Sequence, residues 1–189
     1  MSRASPPTAG AMAEVIQASA APRPVGRYPH ARRAGGLLFL SGIGPRDPST
    51  DSVPGNVLDA DGRVIAHDIA AQTHAVFANV RAVLEASGAR WEDLVDVTVY
   101  LTDMAGDFAG YNAVWAKHFP DPATAPCRTT LGIDALPTPI AIELKCVAGA
   151  DRAPPMPLAR TAGEGETIGG ADGGVRAADA GHPPHVRKE

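Results

Sequence analysis

Between Asp68 and Gly88 the chain carries a one-sided stripe: Ile69, Thr73, Val76, Phe77, Val80, Val83 and Leu84 recur at three- and four-residue intervals. Asp68 stands where a carboxylate caps a first turn and Gly88 falls just past the last apolar position, so the spacing predicts a capped amphipathic helix. From Leu94 the period changes to two. Val95, Val97, Val99 and Leu101 share one face of a predicted strand and Asp96, Thr98 and Tyr100 the other. A second helix is expected to start at a cap on Asp107 and run to Phe119, with Phe108, Tyr111, Trp115 and Phe119 inward; the Pro120 to Pro126 segment ends it.

Upstream, the segments from Arg27 and from Leu37 read as two short strands joined at Gly35-Gly36. Downstream, Arg128 to Ile133 and Ile140 to Val147 read as two more. The order is β-β-α-β-α-β-β, an α+β fold with two helices packed on one face of a mixed sheet. Ile43 to Ala66, with Pro45, Pro48, Pro54 and Asp61-Gly62, reads as a long loop, and long loops in small domains are commonly functional.

The last strand, IAIELKCV, poses a question. Ile140, Ile142, Leu144 and Cys146 form its apolar face, whereas Glu143 and Lys145 share the other. An ionised carboxylate out of water is costly without partners, so Glu143 requires either solvent or a specific polar surrounding. With Asp96, Thr98 and Tyr100 it would line a half-polar sheet face for which no helix remains, so a second subunit is expected to cover that face.

Composition sets the limits of the domain. Residues 150–189 contain no Phe, Tyr or Trp and are rich in Gly, Pro and Ala, and residues 1–21 are similarly poor in anchors; both are expected to be disordered extensions of a domain spanning 22–149. The net charge of −4 offers no basic surface for nucleic acid. No apolar run approaches the ~20 residues that span a bilayer, and a cytoplasmic protein is expected. Cys127 and Cys146 are too few and too far apart for a disulfide framework or zinc knuckle. His67 and His74 lie seven apart and His182 and His185 fall in the C-terminal extension, so no metal site is expected.

Two residues stand out for chemistry. Arg128 opens the strand before that of Glu143, offering a guanidinium fork for a substrate carboxylate beside a group able to move protons. On spacing alone, a structural ion pair across the sheet explains the same two residues. A series of motifs goes further: Tyr28-Pro-His-Ala, Leu38-Phe-Leu-Ser-Gly, Ala78-Asn-Val-Arg-Ala-Val-Leu-Glu-Ala-Ser-Gly, Asp96-Val-Thr-Val-Tyr-Leu-Thr-Asp-Met, Tyr111-Asn, Pro126-Cys-Arg-Thr-Thr and Ile142-Glu-Leu-Lys-Cys-Val-Ala. In that order they resemble the Rid family, the YjgF-type enamine and imine deaminases. The resemblance implies a chorismate-mutase-like fold, a homotrimer with a cleft at each interface, and hydrolysis without metal or organic cofactor. It implies Arg128 as the carboxylate-binding residue and Glu143 as the acid/base, with Tyr28, Gly42, Asn112 and Thr130 at further pocket positions.

The long connection after Gly42, together with Arg128-Thr-Thr and Leu136-Pro-Thr-Pro, resembles the 2-aminomuconate deaminase branch. That branch converts the six-carbon enamine diacid 2-aminomuconate to 4-oxalocrotonate and ammonia in aromatic catabolism. A diacid calls for a second cation, and Arg46 in the long loop is the candidate. Two alternatives stay open: a broad deaminase of 2-iminobutanoate- and 2-iminopropanoate-type acids, and a non-catalytic ligand-binding or chaperone-like trimer.

Overall fold

Strands form where apolar residues alternate, and helices where they recur every third or fourth position; in a computed structural model that describes residues 13–150, both patterns close around one core. The strands are β1 (Glu14–Ile16), β2 (Ala31–Ala34), β3 (Leu37–Leu40), β4 (Val57–Leu58), β5 (Val64–Ala66), β6 (Leu94–Leu101), β7 (Cys127–Gly132) and β8 (Ile142–Gly149). The helices are α1 (Ile69–Ala86) and α2 (Met104–His118). Six strands make a mixed sheet in the order β1-β2-β3-β8-β6-β7, antiparallel throughout except for the parallel pair β6 and β7. Both helices lie on one face. Among the described residues no helix is long and apolar enough to cross a membrane.

Local chemistry sets the boundaries. Gly35 and Gly36 both have positive φ, at 58° and 75°, as the tight turn between β2 and β3 requires. Asp68 caps α1 by accepting from the N–H groups of Ala70 and Ala71, and Gly88, at φ 73°, follows the Ser87 C-cap. Thr73, Val76, Phe77, Val80, Val83 and Leu84 are buried beneath the helix. Apart from Thr73, they meet Leu38 and Leu40 of β3, Val97, Val99 and Leu101 of β6, and Ile142, Leu144 and Cys146 of β8 in one apolar cluster.

Four expectations need correction. The domain begins earlier than Pro22: Glu14–Ile16 pairs with β2, and Ile16, Ala18 and Ala21 are buried. A short apolar-polar triplet carries too little periodicity to announce a strand, and tertiary pairing decides it. The expectations for residues 1–12 and 151–189 lie outside the described residues. Second, Asp103, not Asp107, caps α2, accepting from the Gly106 N–H at 3.0 Å; Asp107 is buried one turn on, where it accepts from His67 at 2.9 Å. Third, a bulge between Leu94 and Asp96 turns Leu94 into the core and leaves Val95 exposed, and Phe108 on α2 is exposed as well. Fourth, the long loop contains the β4–β5 hairpin, turning at Gly62 with φ 79°.

The other sheet face is bare. Val15, Leu37, Phe39 and Leu131 stand exposed among Asp96, Thr98, Tyr100, Glu143 and Lys145. Exposed apolar side chains mixed with polar ones across a whole sheet face are the signature of an interaction surface.

Candidate active site

Glu143 sits on that bare face, opposite Tyr100 in the β6–β8 ladder. The chain leaving β3 turns back over β8 through an isolated bridge, in which the Ile43 N–H donates to the Leu144 carbonyl and the Leu144 N–H to that of Ile43, each at 2.9 Å. This bridge presses Gly42 onto the Glu143 carboxylate. A Cβ at position 42 would lie 2.2 Å from Glu143 Oε1 and 2.7 Å from Cδ, so only glycine admits the side chain in this position. Burial pushes the Glu143 pKa up from the ordinary glutamate value.

The carboxylate opens into a cavity of about 360 Å³. Tyr28, Gly42, Arg46 and Lys145 line it with Glu143, and residues 22–25 form a wall. His30 holds that wall: its Nδ1 accepts from the Ala18 N–H at 3.1 Å, which leaves Nε2 to donate to the Pro22 carbonyl at 3.0 Å. The long loop forms the opposite side. Asn79, buried on α1, donates to the carbonyls of Gly44 and Arg46 at 2.8 and 2.9 Å, fixing the loop to the helix.

Arg128, Asn112 and Thr130 lie elsewhere. Arg128 pairs in register with Val97, a core-facing residue, and so emerges on the helix side of β7. Its guanidinium stands 4.8 Å from the Trp115 ring centroid and 5.5 Å from that of Tyr111, and donates to Asn112 Oδ1 at 2.9 Å. Thr130, two residues on, points the same way toward the Tyr111 hydroxyl. Burial drives the Tyr111 pKa up to about 12 despite the nearby guanidinium, so the phenol stays protonated. The aromatic shelf and Asn112 hold the Arg128 guanidinium at the edge of the sheet, since β7 is the terminal strand.

The seven residues singled out by sequence thus form two groups. Tyr28, Gly42, Arg46 and Glu143 share the cavity; Arg128, Asn112 and Thr130 occupy the far edge, on the opposite face, with β6 between them and β8. An Arg128–Glu143 ion pair across the sheet is thereby ruled out within one chain. The positional reason is simple: Arg128 is in register with Val97 and Glu143 with Tyr100, three positions apart on β6 and therefore on opposite faces. Sequence reasoning missed the Tyr111–Trp115 shelf as a guanidinium support, reading both rings as core alone. It also passed over Lys145 as a site residue, although the two-residue step from Glu143 places both on one face.

Two helices packed on one face of a mixed six-stranded sheet, with a half-buried carboxylate cavity on the other face and an arginine at the far edge, place the chain among two-layer α+β domains. The family model described as Endoribonuclease L-PSP matches residues 18–150, and the chain belongs to that family, which the Rid proteins share. A RutC family protein of Pyrococcus horikoshii is 39% identical over 137 residues, 72% of this chain and 98% of its own. Reactive Intermediate Deaminase A of Arabidopsis thaliana, a chloroplastic protein, is 36% identical over 71% of this chain and 65% of its own. The crystal structure of the YjgF gene product of E. coli superposes with a TM-score of 0.61 at 31% identity, covering 72% of this chain and 98% of that one. The chorismate-mutase-like arrangement expected from the motifs is the fold observed.

Proposed function

We propose that this chain is a cofactor-independent hydrolytic deaminase of enamine and imine acids, assembled as a homotrimer in which Arg128 of the partner subunit completes the Glu143 cavity. The single observation that carries the reading is the glycine-seated carboxylate: Glu143 is kept against Gly42 with a raised pKa, in a cavity large enough for a small acid. The name of the Arabidopsis relative points to the same chemistry.

An enamine acid needs three things: a proton for its carbon, a water for the resulting imine, and a hold on its carboxylate. Protonated Glu143 delivers the first, converting the C=C–N unit to C–C=N⁺. As carboxylate it then takes a proton from the water that attacks the imine carbon, and collapse of the carbinolamine expels ammonia and leaves the ketone. Arg128 of the partner subunit, preset by Asn112 and the aromatic rings, grips the carboxylate with two parallel N–H donors. The bare sheet face and the position of Arg128 on an edge strand support assembly around this cleft.

Within that chemistry, the extended connection between β3 and α1 supports a diacid such as 2-aminomuconate as the preferred substrate, ahead of mono-acid imines. Ammonia release from enzymatically generated 2-aminomuconate, measured beside 2-iminopropanoate, tests both levels. Release from neither substrate overturns the deaminase reading; preference for the mono-acid overturns the diacid one.

A further inference from the structure

We infer that Lys145, and not Arg46, is the cation that reads the second carboxylate of a diacid substrate in the Glu143 cavity. The inference rests on the deaminase reading above and assigns the specificity of that site. Arg46 lines the cavity, but both of its terminal nitrogens already have partners and its charge is paired. One nitrogen makes an ion pair with Asp51, and the other donates to the Arg23 carbonyl at 2.6 Å. Both partners are fixed by local structure. Asp47 accepts from the backbone N–H groups and hydroxyls of Ser49 and Thr50, closing a tight loop that ends with Asp51 at φ 62°, facing Arg46. The Arg23 carbonyl belongs to the cavity wall. Arg46 is therefore a clasp that ties the wall at residues 22–25 to the long loop.

Lys145 has the opposite character. It follows Glu143 by two positions on β8, on the same face, at a separation of about 7 Å along the strand. It lines the same cavity. Its ammonium has a single hydrogen-bond partner among the described residues, the Leu40 carbonyl at a long 3.3 Å, and no carboxylate within ion-pair reach. An ammonium carries three donors, so two remain for a ligand. With one substrate carboxylate held by Arg128 of the partner subunit and the reacting carbon at Glu143, a short-chain diacid extends its far carboxylate along β8 toward this ammonium. A mono-acid has nothing to place there.

The test compares Lys145→Gln, Lys145→Arg and Arg46→Ala in the full chain, with 2-aminomuconate and 2-iminopropanoate as substrates. Lys145→Gln is expected to lower kcat/KM for the diacid, mainly through KM, at least tenfold more than for the mono-acid; Lys145→Arg retains most of the preference. Arg46→Ala, which loosens the wall, is expected to weaken both substrates alike. Equal effects of Lys145→Gln on both substrates, or a diacid-selective loss in Arg46→Ala alone, overturn the assignment. Calorimetric binding of hexanedioate against hexanoate gives a readout free of chemistry. If the wild type releases no ammonia yet hexanedioate binding still depends on Lys145, the deaminase reading fails and the lysine assignment stands; if hexanedioate binding is indifferent to Lys145, the assignment fails whatever the turnover.

Discussion

Gly42→Ala offers the sharpest perturbation of the site, because it adds one methyl group and removes nothing. That methyl would stand 2.2 Å from Glu143 Oε1, where an ordinary contact begins near 3.4 Å, so the carboxylate must retreat by about 1 Å. The obstacle is the tip of a flexible side chain, and Gly42 is not among the glycines with positive φ, so the fold bears little of the strain. Replacing glycine at a compatible backbone position even stabilises by roughly 0.4–1 kcal/mol through the unfolded chain. Activity is another matter: displacing a catalytic group by ~1 Å costs on the order of a hundredfold in rate, about 2.7 kcal/mol of transition-state stabilisation. The expected outcome is a melting temperature equal to or slightly above that of the wild type, with kcat/KM for 2-iminopropanoate down by about two orders of magnitude. Thermal melts by circular dichroism and a coupled ammonia assay read the two quantities on one preparation. Full activity in a well-folded Gly42→Ala protein would refute the claim that the seated carboxylate does the chemistry.

Other expectations address separate parts of the account. Glu143→Gln keeps shape and hydrogen bonding but cannot carry a proton, so turnover is expected to fall roughly a hundredfold while product binding, followed by calorimetry, persists. The same variant bears on stability: burial raises the folded-state pKa of Glu143, so the wild-type fold is unpenalised below the ordinary glutamate pKa and loses stability as pH rises through the raised one. The Tm gain of Glu143→Gln should accordingly be near zero at ~pH 4 and larger at ~pH 8. Arg128→Lys preserves charge but not the flat fork over Trp115, and its kcat/KM should drop by more than tenfold, beyond ~1.4 kcal/mol. Starting the chain at Pro22 removes β1 and the buried Ile16, at a cost of about 2 kcal/mol or more, read as a fall in Tm of roughly 5 °C or more; an unchanged Tm would show β1 to be dispensable.

Helices and central strands were legible in the sequence because each is long enough for its period to show: the α1 stripe, the β6 alternation and the β8 apolar face each carry three or more positions that are buried as the pattern predicts. The elements that escaped are short. β1 has three residues and β4 two, and tertiary pairing, not pattern, makes them strands. Asp103 and Asp107 both fit a helix start, and the choice between them turned on which carboxylate reaches a free N–H and which is buried against His67. At the site, residue types were readable but their grouping was not. Whether Arg128 and Glu143 share a face depends on how β7 and β8 each register against β6, which lies between them, and strand order is not written in local periodicity. The same holds for Arg46, whose charge is evident in the sequence and whose occupation by Asp51 is a property of the folded loop.

The claim on which the account turns is that each catalytic cleft draws Glu143 from one chain and Arg128 from another. Subunit complementation tests it: Glu143→Gln and Arg128→Ala proteins, each inactive alone, are unfolded together, refolded as a mixture and assayed for ammonia release. In a closed ring of randomly mixed subunits, about a quarter of the clefts join an intact Glu143 to an intact Arg128, so activity near one quarter of the wild type is expected. A refolded mixture as inactive as its two parents would contradict the shared cleft.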